Sequence, residues 1–263
     1  MIHREHQNGA VILRMEHGKV SALDLELLQE LREKLAQLRK EPPRAVILTG
    51  TGSSFSAGVD LYRVLQGGND YLSRFLPALE VCLRELLEFP RPIVAAVNGH
   101  AIAGGCVIVC ACDHRIMAEG TGRIGVTELL VGVPFPDLPL EIVRASVASH
   151  HFQNIVYSGR TFSPSDALQV GLVDELAAPE SLLAKAIEVA PKRRIRPLSA
   201  ISVNTPFPLF KNSRTPPFKL LTSKSRSPSP SMSANTHPVE NWFGQPMPAL
   251  AVMSSNFQFP RLR

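Results

Sequence analysis

The chain has 263 residues, 44% hydrophobic and 19% charged, as expected of a globular protein with a full core and not of a disordered or fibrous one. No apolar run reaches the ~18 residues of a membrane span, the N-terminal MIHREHQNG lacks an apolar signal core, and Cys82, Cys106, Cys110 and Cys112 have apolar neighbours and no disulfide spacing, so a cytoplasmic protein without a membrane partner is expected. The net charge of +5 divides into +10 over residues 191–263 and −5 over the rest, so it does not point to a nucleic-acid partner.

In chain order, Ala10 to Met15 reads as a strand, and Leu27, Leu31, Leu35 and Leu38 mark one face of a helix with Glu30 and Lys34 on its solvated side. RAVILTG, Arg44 to Gly50, is a short β-branched run ending in glycine and predicts a buried strand. Leu72, Phe75, Leu76, Leu79, Leu83 and Leu86 predict a second amphipathic helix, bent or begun at Pro77. PIVAAVN, Pro92 to Asn98, is another buried strand, and GGCVIVCAC from Gly104 is apolar all round, which predicts a central buried helix. Arg115 to Ala118 resumes as a strand. Ser163 and Pro164 supply an N-cap and first-turn proline to a short helix closed at Gly171, and Pro179 opens the last clear helix, which ends at Ala190.

Two glycine-containing turns follow buried strands. GTGSSFSAGVD, Gly50 to Asp60, has no lysine for a phosphate-binding P-loop, has Phe55 where a dinucleotide turn needs glycine, and lacks the spacing of a serine nucleophile elbow. NGHAIAGGC, Asn98 to Cys106, runs straight into the apolar helix, whose first N–H groups are unpaired donors at the positive end of its dipole. One N–H from each turn could form an oxyanion hole.

SFSAGVDL at Ser54 to Leu61, NGHAIAGGCVIVCACDHRIMA at Asn98 to Ala118, IGVTELLVGVPFP at Ile124 to Pro136 and YSGRTFSPSDALQVGLVDEL at Tyr157 to Leu176 together resemble the enoyl-CoA hydratase/isomerase (crotonase) family over roughly residues 10–190. The resemblance implies an α/β fold wound as a spiral of β-β-α units, an acyl-CoA thioester substrate with coenzyme A as part of the substrate and no further cofactor or metal, and a homo-trimer or hexamer. It also implies that the N–H groups of Ala57 and Gly104 hold the thioester oxygen, with Ser56, Gly58, Asp60, Leu61 and Gly105 as further contacts to the acyl-CoA.

Hydratases of the family carry two glutamates. Here the first position is Val107 and the second is Glu128, so the chain resembles more closely the isomerases, which shift a double bond from C3 to C2 with a single base. Glu128 lies between Val126 and the run Leu129, Leu130, Val131, an apolar setting expected to raise its pKa. Asp137 and Glu141 are rival acids, Glu141 being expected on the exposed face of a helix. A hydratase with another second acid is the alternative activity. The cysteines of the apolar helix are expected in the core, His150 and His151 on the surface, and Lys192, Arg193, Arg194 and Arg196 in solvent.

From Pro191 the pattern changes. Residues 191–263 hold 12 of the 22 prolines, one of the 17 glycines and the run SKSRSPSPSMS, together with Trp242 and several phenylalanines. The organisation expected is therefore a family-like domain over 1–190 and an irregular, basic, Pro/Ser-rich segment over 191–263 where the family has helices. That segment reads as translation in a shifted frame, and the third reading of the whole chain is an inactive or misassembled family member.

Overall fold

The computed structural model describes residues 1–133, 135–193 and 195. All but four residues of the segment 191–263 therefore lie outside the described residues, as do Arg194 and Arg196 and the aromatic residues of that segment.

Six strands form the main sheet, in the order β1 (Ile2–Gln7), β2 (Ala10–Met15), β3 (Ala45–Thr49), β5 (Ile93–Val97), β7 (His114–Ala118) and β9 (Glu175–Ala177). The first two make an antiparallel hairpin, with Asn8 and Gly9 both at positive φ in the turn, and the remaining pairings are parallel. Strands β2, β3, β5 and β7 match the apolar runs expected, as befits a parallel sheet covered on both faces. Along them the side chains alternate between two cores. Val11, Leu13, Val46, Leu48 and Ala95 face the helices α1 (Leu25–Lys40), α2 (Leu61–Leu87) and α3 (Gly104–Ala111), while Ile12, Ile47, Val94 and Ile116 face α7 (Leu182–Val189).

Three further strands, β4 (Ser54–Ser56), β6 (His100–Ile102) and β8 (Ile124–Gly125), pair in parallel as a second, small sheet. Each follows a strand of the main sheet, and α2, α3 and, after a 3₁₀ turn at Glu128–Val131, α4 (Asp137–Ser146) complete the three units. The chain thus winds as the spiral of β-β-α units that was expected. The helices α5 (Ser149–Ser158) and α6 (Pro164–Gln169) complete the described body, with the Ser163 hydroxyl accepting from the Asp166 N–H as the expected cap.

The long helix departs from expectation at one point. Pro77 lies inside regular helix, and the break falls instead at Gly68, with φ 52° and ψ −140°, a conformation that favours glycine. The helix starts earlier than its leucine pattern indicates because Asp60 caps it, accepting from the N–H groups of Tyr62 and Arg63 at 3.0 and 3.1 Å.

An ionic cluster fastens β7 to β9 and α7. The buried Arg115 guanidinium grips Asp174 in a bidentate pair at 2.6 and 2.9 Å, His114 lies between Asp174 (3.3 Å) and Glu175 (2.8 Å), and Glu175 also receives Lys185 at 3.0 Å and Arg193. Burial alone would raise the Asp174 carboxyl, but hydrogen bonds from His114 and Arg115 outweigh it and hold the group well below the usual carboxylate range. A depressed carboxylate stabilises the fold above its unfolded pKa near ~3.9 and ceases to do so as pH falls through its folded value. Asp174→Asn is therefore expected to cost about 3 kcal/mol at pH 7 by leaving Arg115 partly unpaired, and less at pH 3, measured by urea denaturation at both pH values.

Candidate active site

The strands β4, β6 and β8 run in the same direction, so the segments leaving their C-terminal ends emerge at one edge of the small sheet. Those segments are Ala57 to Asp60, Ala103 to Gly104, and Val126 to Glu128. In parallel sheets ligands bind at this edge, and here it brings together all three stretches in which the sequence placed its candidates.

The second turn is tightly built. Ala103 is held at φ 49° and ψ −122°, an unfavourable region for a residue with a Cβ, by donating to the Gly125 carbonyl at 2.8 Å and accepting from the Val107 N–H at 3.1 Å. Gly104 then opens α3, so its N–H has no acceptor within the helix. Every residue of α3 is buried, including Cys106, Val107 and Cys110, in agreement with a central apolar helix.

In the first turn the expectation for Ala57 is overturned, because its N–H is already bonded to the Val20 carbonyl at 3.0 Å. The donor left over is Val59. Leu23 bridges to this turn by donating to the Gly58 carbonyl at 2.7 Å and accepting from the Asp60 N–H at 2.9 Å, which turns the Val59 N–H to the opposite side, where no acceptor among the described residues takes it. Gly58, at φ 81°, lies against the second turn: a Cβ on it would stand 2.6 Å from the Ile102 carbonyl oxygen and 3.2 Å from the Gly104 nitrogen. The N–H groups of Val59 and Gly104, with no acceptor among the described residues, thus belong to two turns in direct contact.

Most of the other residues expected to contact the acyl-CoA also hold the frame. The Ser56 hydroxyl is fully buried, donating to the Ser21 carbonyl at 2.7 Å and accepting from the Gly58 N–H at 3.3 Å. Asp60 is occupied as the cap of α2, and Gly105 allows α3 to lie against β4, since a Cβ there would meet the Ser56 carbonyl oxygen at 2.4 Å. Leu61 is the first, partly exposed residue of α2.

Glu128 opens the 3₁₀ turn. Its Oε2 is buried and has no hydrogen-bond partner among the described residues, and burial pushes the carboxyl up to about 7 against the opposing effect of backbone hydrogen bonds from Glu128 and Thr127. Of its apolar neighbours in sequence, Val126 is buried, whereas Leu129 and Leu130 are 40% and 64% exposed. Of the rival acids, Glu141 is partly buried and pairs with Arg144 at 3.0 Å, while Asp137 is the first residue of α4. The cysteines are buried and free, as expected, His150 is exposed and His151 is partly exposed at the start of α5. Lys192 pairs with Glu188, and Arg193 belongs to the Glu175 cluster and so is not a solvated charge.

Residues 5–202 match a sequence-family profile described as enoyl-CoA hydratase/isomerase. The chain belongs to the enoyl-CoA hydratase/isomerase family. It is 29% identical to the mitochondrial enoyl-CoA delta isomerase 1 of Rattus norvegicus over 195 residues, which is 73% of this chain and 68% of that one. Among solved structures, it resembles human mitochondrial delta3-delta2-enoyl-CoA isomerase with a TM-score of 0.70 at 28% identity, covering 73% of this chain and 76% of that one. It also resembles an enoyl-CoA hydratase from Bacillus anthracis with a TM-score of 0.69 at 29% identity, covering 73% and 75%. This family member is a mixed α/β protein, and among its described residues no helix is long and apolar enough to cross a membrane.

Proposed function

We propose that the protein isomerises the double bond of an enoyl-CoA, moving it from C3 to C2, with Glu128 as the single proton shuttle and the N–H groups of Val59 and Gly104 as the oxyanion hole. The observation that carries this reading is the Glu128 carboxyl, one oxygen of which is buried with no partner among the described residues and whose pKa burial raises to about 7. A base of that pKa both takes and returns a proton near neutral pH.

The thioester carbonyl oxygen accepts from Val59 and Gly104. Glu128 removes a proton from C2, and the electron pair of the broken C–H bond delocalises onto the thioester oxygen, where each fixed donor stabilises the developing charge by about 3 kcal/mol. As the enolate collapses, the pair of the C3–C4 double bond takes the proton from Glu128 at C4 and the new double bond stands between C2 and C3. No water is added, so no second carboxylate is needed. This agrees with Val107, an apolar buried residue, standing where the hydratases have their other glutamate.

Short-chain 3-enoyl-CoA and crotonyl-CoA offered separately to the full chain test the reading. The expected result is conversion of the first to the conjugated 2-enoyl thioester and no 3-hydroxyacyl product from the second. Hydration of crotonyl-CoA at a rate comparable with isomerisation would overturn it.

A further inference from the structure

The turns that carry the Val59 and Gly104 N–H groups are far apart in the chain, and a segment outside both of them touches each. Residues 20–24, between β2 and α1, run along the first turn. The Val20 carbonyl accepts from the Ala57 N–H at 3.0 Å, the Ser21 carbonyl accepts from the Ser56 hydroxyl at 2.7 Å, and Leu23 bonds on both sides of Val59, donating to Gly58 and accepting from Asp60. The Leu23 side chain continues to the second turn. A Cβ built on Gly104 would meet the Leu23 Cδ1 at 2.9 Å and the Val59 Cγ2 at 3.7 Å, so the Leu23 methyl packs against Gly104. Leu23, 1% exposed, thus grips the turn of one donor through its main chain and supports the other through its side chain.

The segment is itself pinned on either side of Leu23. Ser21 is held at φ 47°, a region unfavourable to a residue with a Cβ, and its hydroxyl accepts from the His17 N–H at 3.3 Å. The Asp24 carboxylate caps α1 by accepting from the Leu27 N–H at 2.8 Å, and it stands 2.7 Å from His17 Nε2 and 3.7 Å from the Arg63 guanidinium of α2. Apart from Asn8 in the β1–β2 hairpin, Ser21 and Ala103 are the non-glycine residues at positive φ among the described residues, and one lies in each segment that fixes a donor. Such backbone persists where its surroundings over-determine it.

We propose that Leu23 is a positioning residue for the reaction: its main chain aims the Val59 N–H, its side chain seats Gly104, and together they set the separation of the two donors. The inference rests on those two N–H groups being the oxyanion hole. Shortening the side chain leaves the main-chain bonds in place and removes the support at Gly104, so the second donor moves away from the thioester oxygen. A displacement of about 1 Å costs up to about 100-fold in rate, and outright loss of one donor about 100- to 1,000-fold.

The test measures kcat and KM of the full chain for a short-chain 3-enoyl-CoA. In parallel it records the infrared carbonyl stretch of bound butanoyl-CoA labelled with carbon-13 at C1, a saturated thioester with no double bond to move. In the native protein the band is expected at lower wavenumber than for the ligand in water, because the hole polarises the carbonyl. Leu23→Ala is expected to reduce that displacement and to lower kcat at least about tenfold, with KM changed less than about threefold. Leu23→Val should do the same to a smaller degree, about threefold in kcat, and carries the test if the alanine variant does not fold. Leu23→Met, which keeps volume and reach, should hold the native band and kcat within about twofold. Leu35→Ala, ten residues along α1 from its start and so ~15 Å away along the axis, should lose Tm as Leu23→Ala does and keep the native band and kcat. A native band and kcat in the shortened Leu23 variants, or equal losses in Leu35→Ala, would overturn the proposal while leaving the hole in place. A band that does not move when the native protein binds the labelled thioester would instead remove the oxyanion hole itself.

Discussion

Glu128→Gln is expected to lower kcat for enoyl-CoA isomerisation by about three orders of magnitude, the range associated with losing a positioned general base. The amide keeps the shape of the side chain and cannot accept the C2 proton, so KM should change little. The same substitution should make the protein more stable at alkaline pH. A buried acid whose pKa is raised in the folded state, here from 4.5 to about 7, costs stability as pH climbs through that interval, because the folded chain must then hold a poorly solvated charge. At about 1.4 kcal/mol per pH unit the penalty at pH 8 is on the order of 3 kcal/mol, and the neutral amide removes it. Urea denaturation at pH 5 and pH 8 should show native and variant closer at the lower pH and the variant ahead at the higher. Activity lost together with stability at both pH values would instead mark Glu128 as a structural residue.

The second large effect is expected at Gly58, where two separate penalties coincide. Its φ of 81° is unfavourable to any residue with a Cβ, and the added methyl would stand 2.6 Å from the Ile102 carbonyl oxygen and 2.9 Å from the Ala103 Cβ. The two turns must move apart, and they carry the two donors. Gly58→Ala is expected to lower kcat/KM at least 100-fold, the cost of misplacing one oxyanion donor, and to lower Tm by about 5–10 °C. Gly18→Ala separates strain from contact, since Gly18 has φ 60° and a methyl there would meet nothing within 4 Å. That variant should lose a little stability and no activity. Equal activity in the two variants would show that the contact between the turns is not needed for function.

The elements legible in the sequence are those whose burial is written in consecutive residues. AVILRM, AVILT and IVAAV are β-branched runs because both faces of the main sheet are covered, and α3 is apolar on every side because it lies between layers. β1 is not legible in this way, since it is an edge strand with only Ile2 buried and IHREHQ has no apolar pattern to read. β4, β6 and β8 have three, three and two residues, too few for any periodicity, yet they decide where the site forms. The choice between Ala57 and Val59 as donor illustrates the same limit. It depends on which amides of one turn the Val20 carbonyl and Leu23 engage, and both partners are distant in the chain. Glu128 could be identified as the candidate acid from the segment around it, but which of its apolar neighbours are covered could not, since Val126 is buried while Leu129 and Leu130 are 40% and 64% exposed.

The single-base shuttle is tested most directly by following the proton itself. A 3-enoyl-CoA carrying deuterium at C2, isomerised by the full chain in ordinary water, should yield 2-enoyl-CoA with part of the label recovered at C4, because the carboxyl that removes the deuteron also delivers it. The label transfer should vanish in Glu128→Gln. Product formed at the native rate with no deuterium at C4, or transfer that survives in Glu128→Gln, would contradict the mechanism.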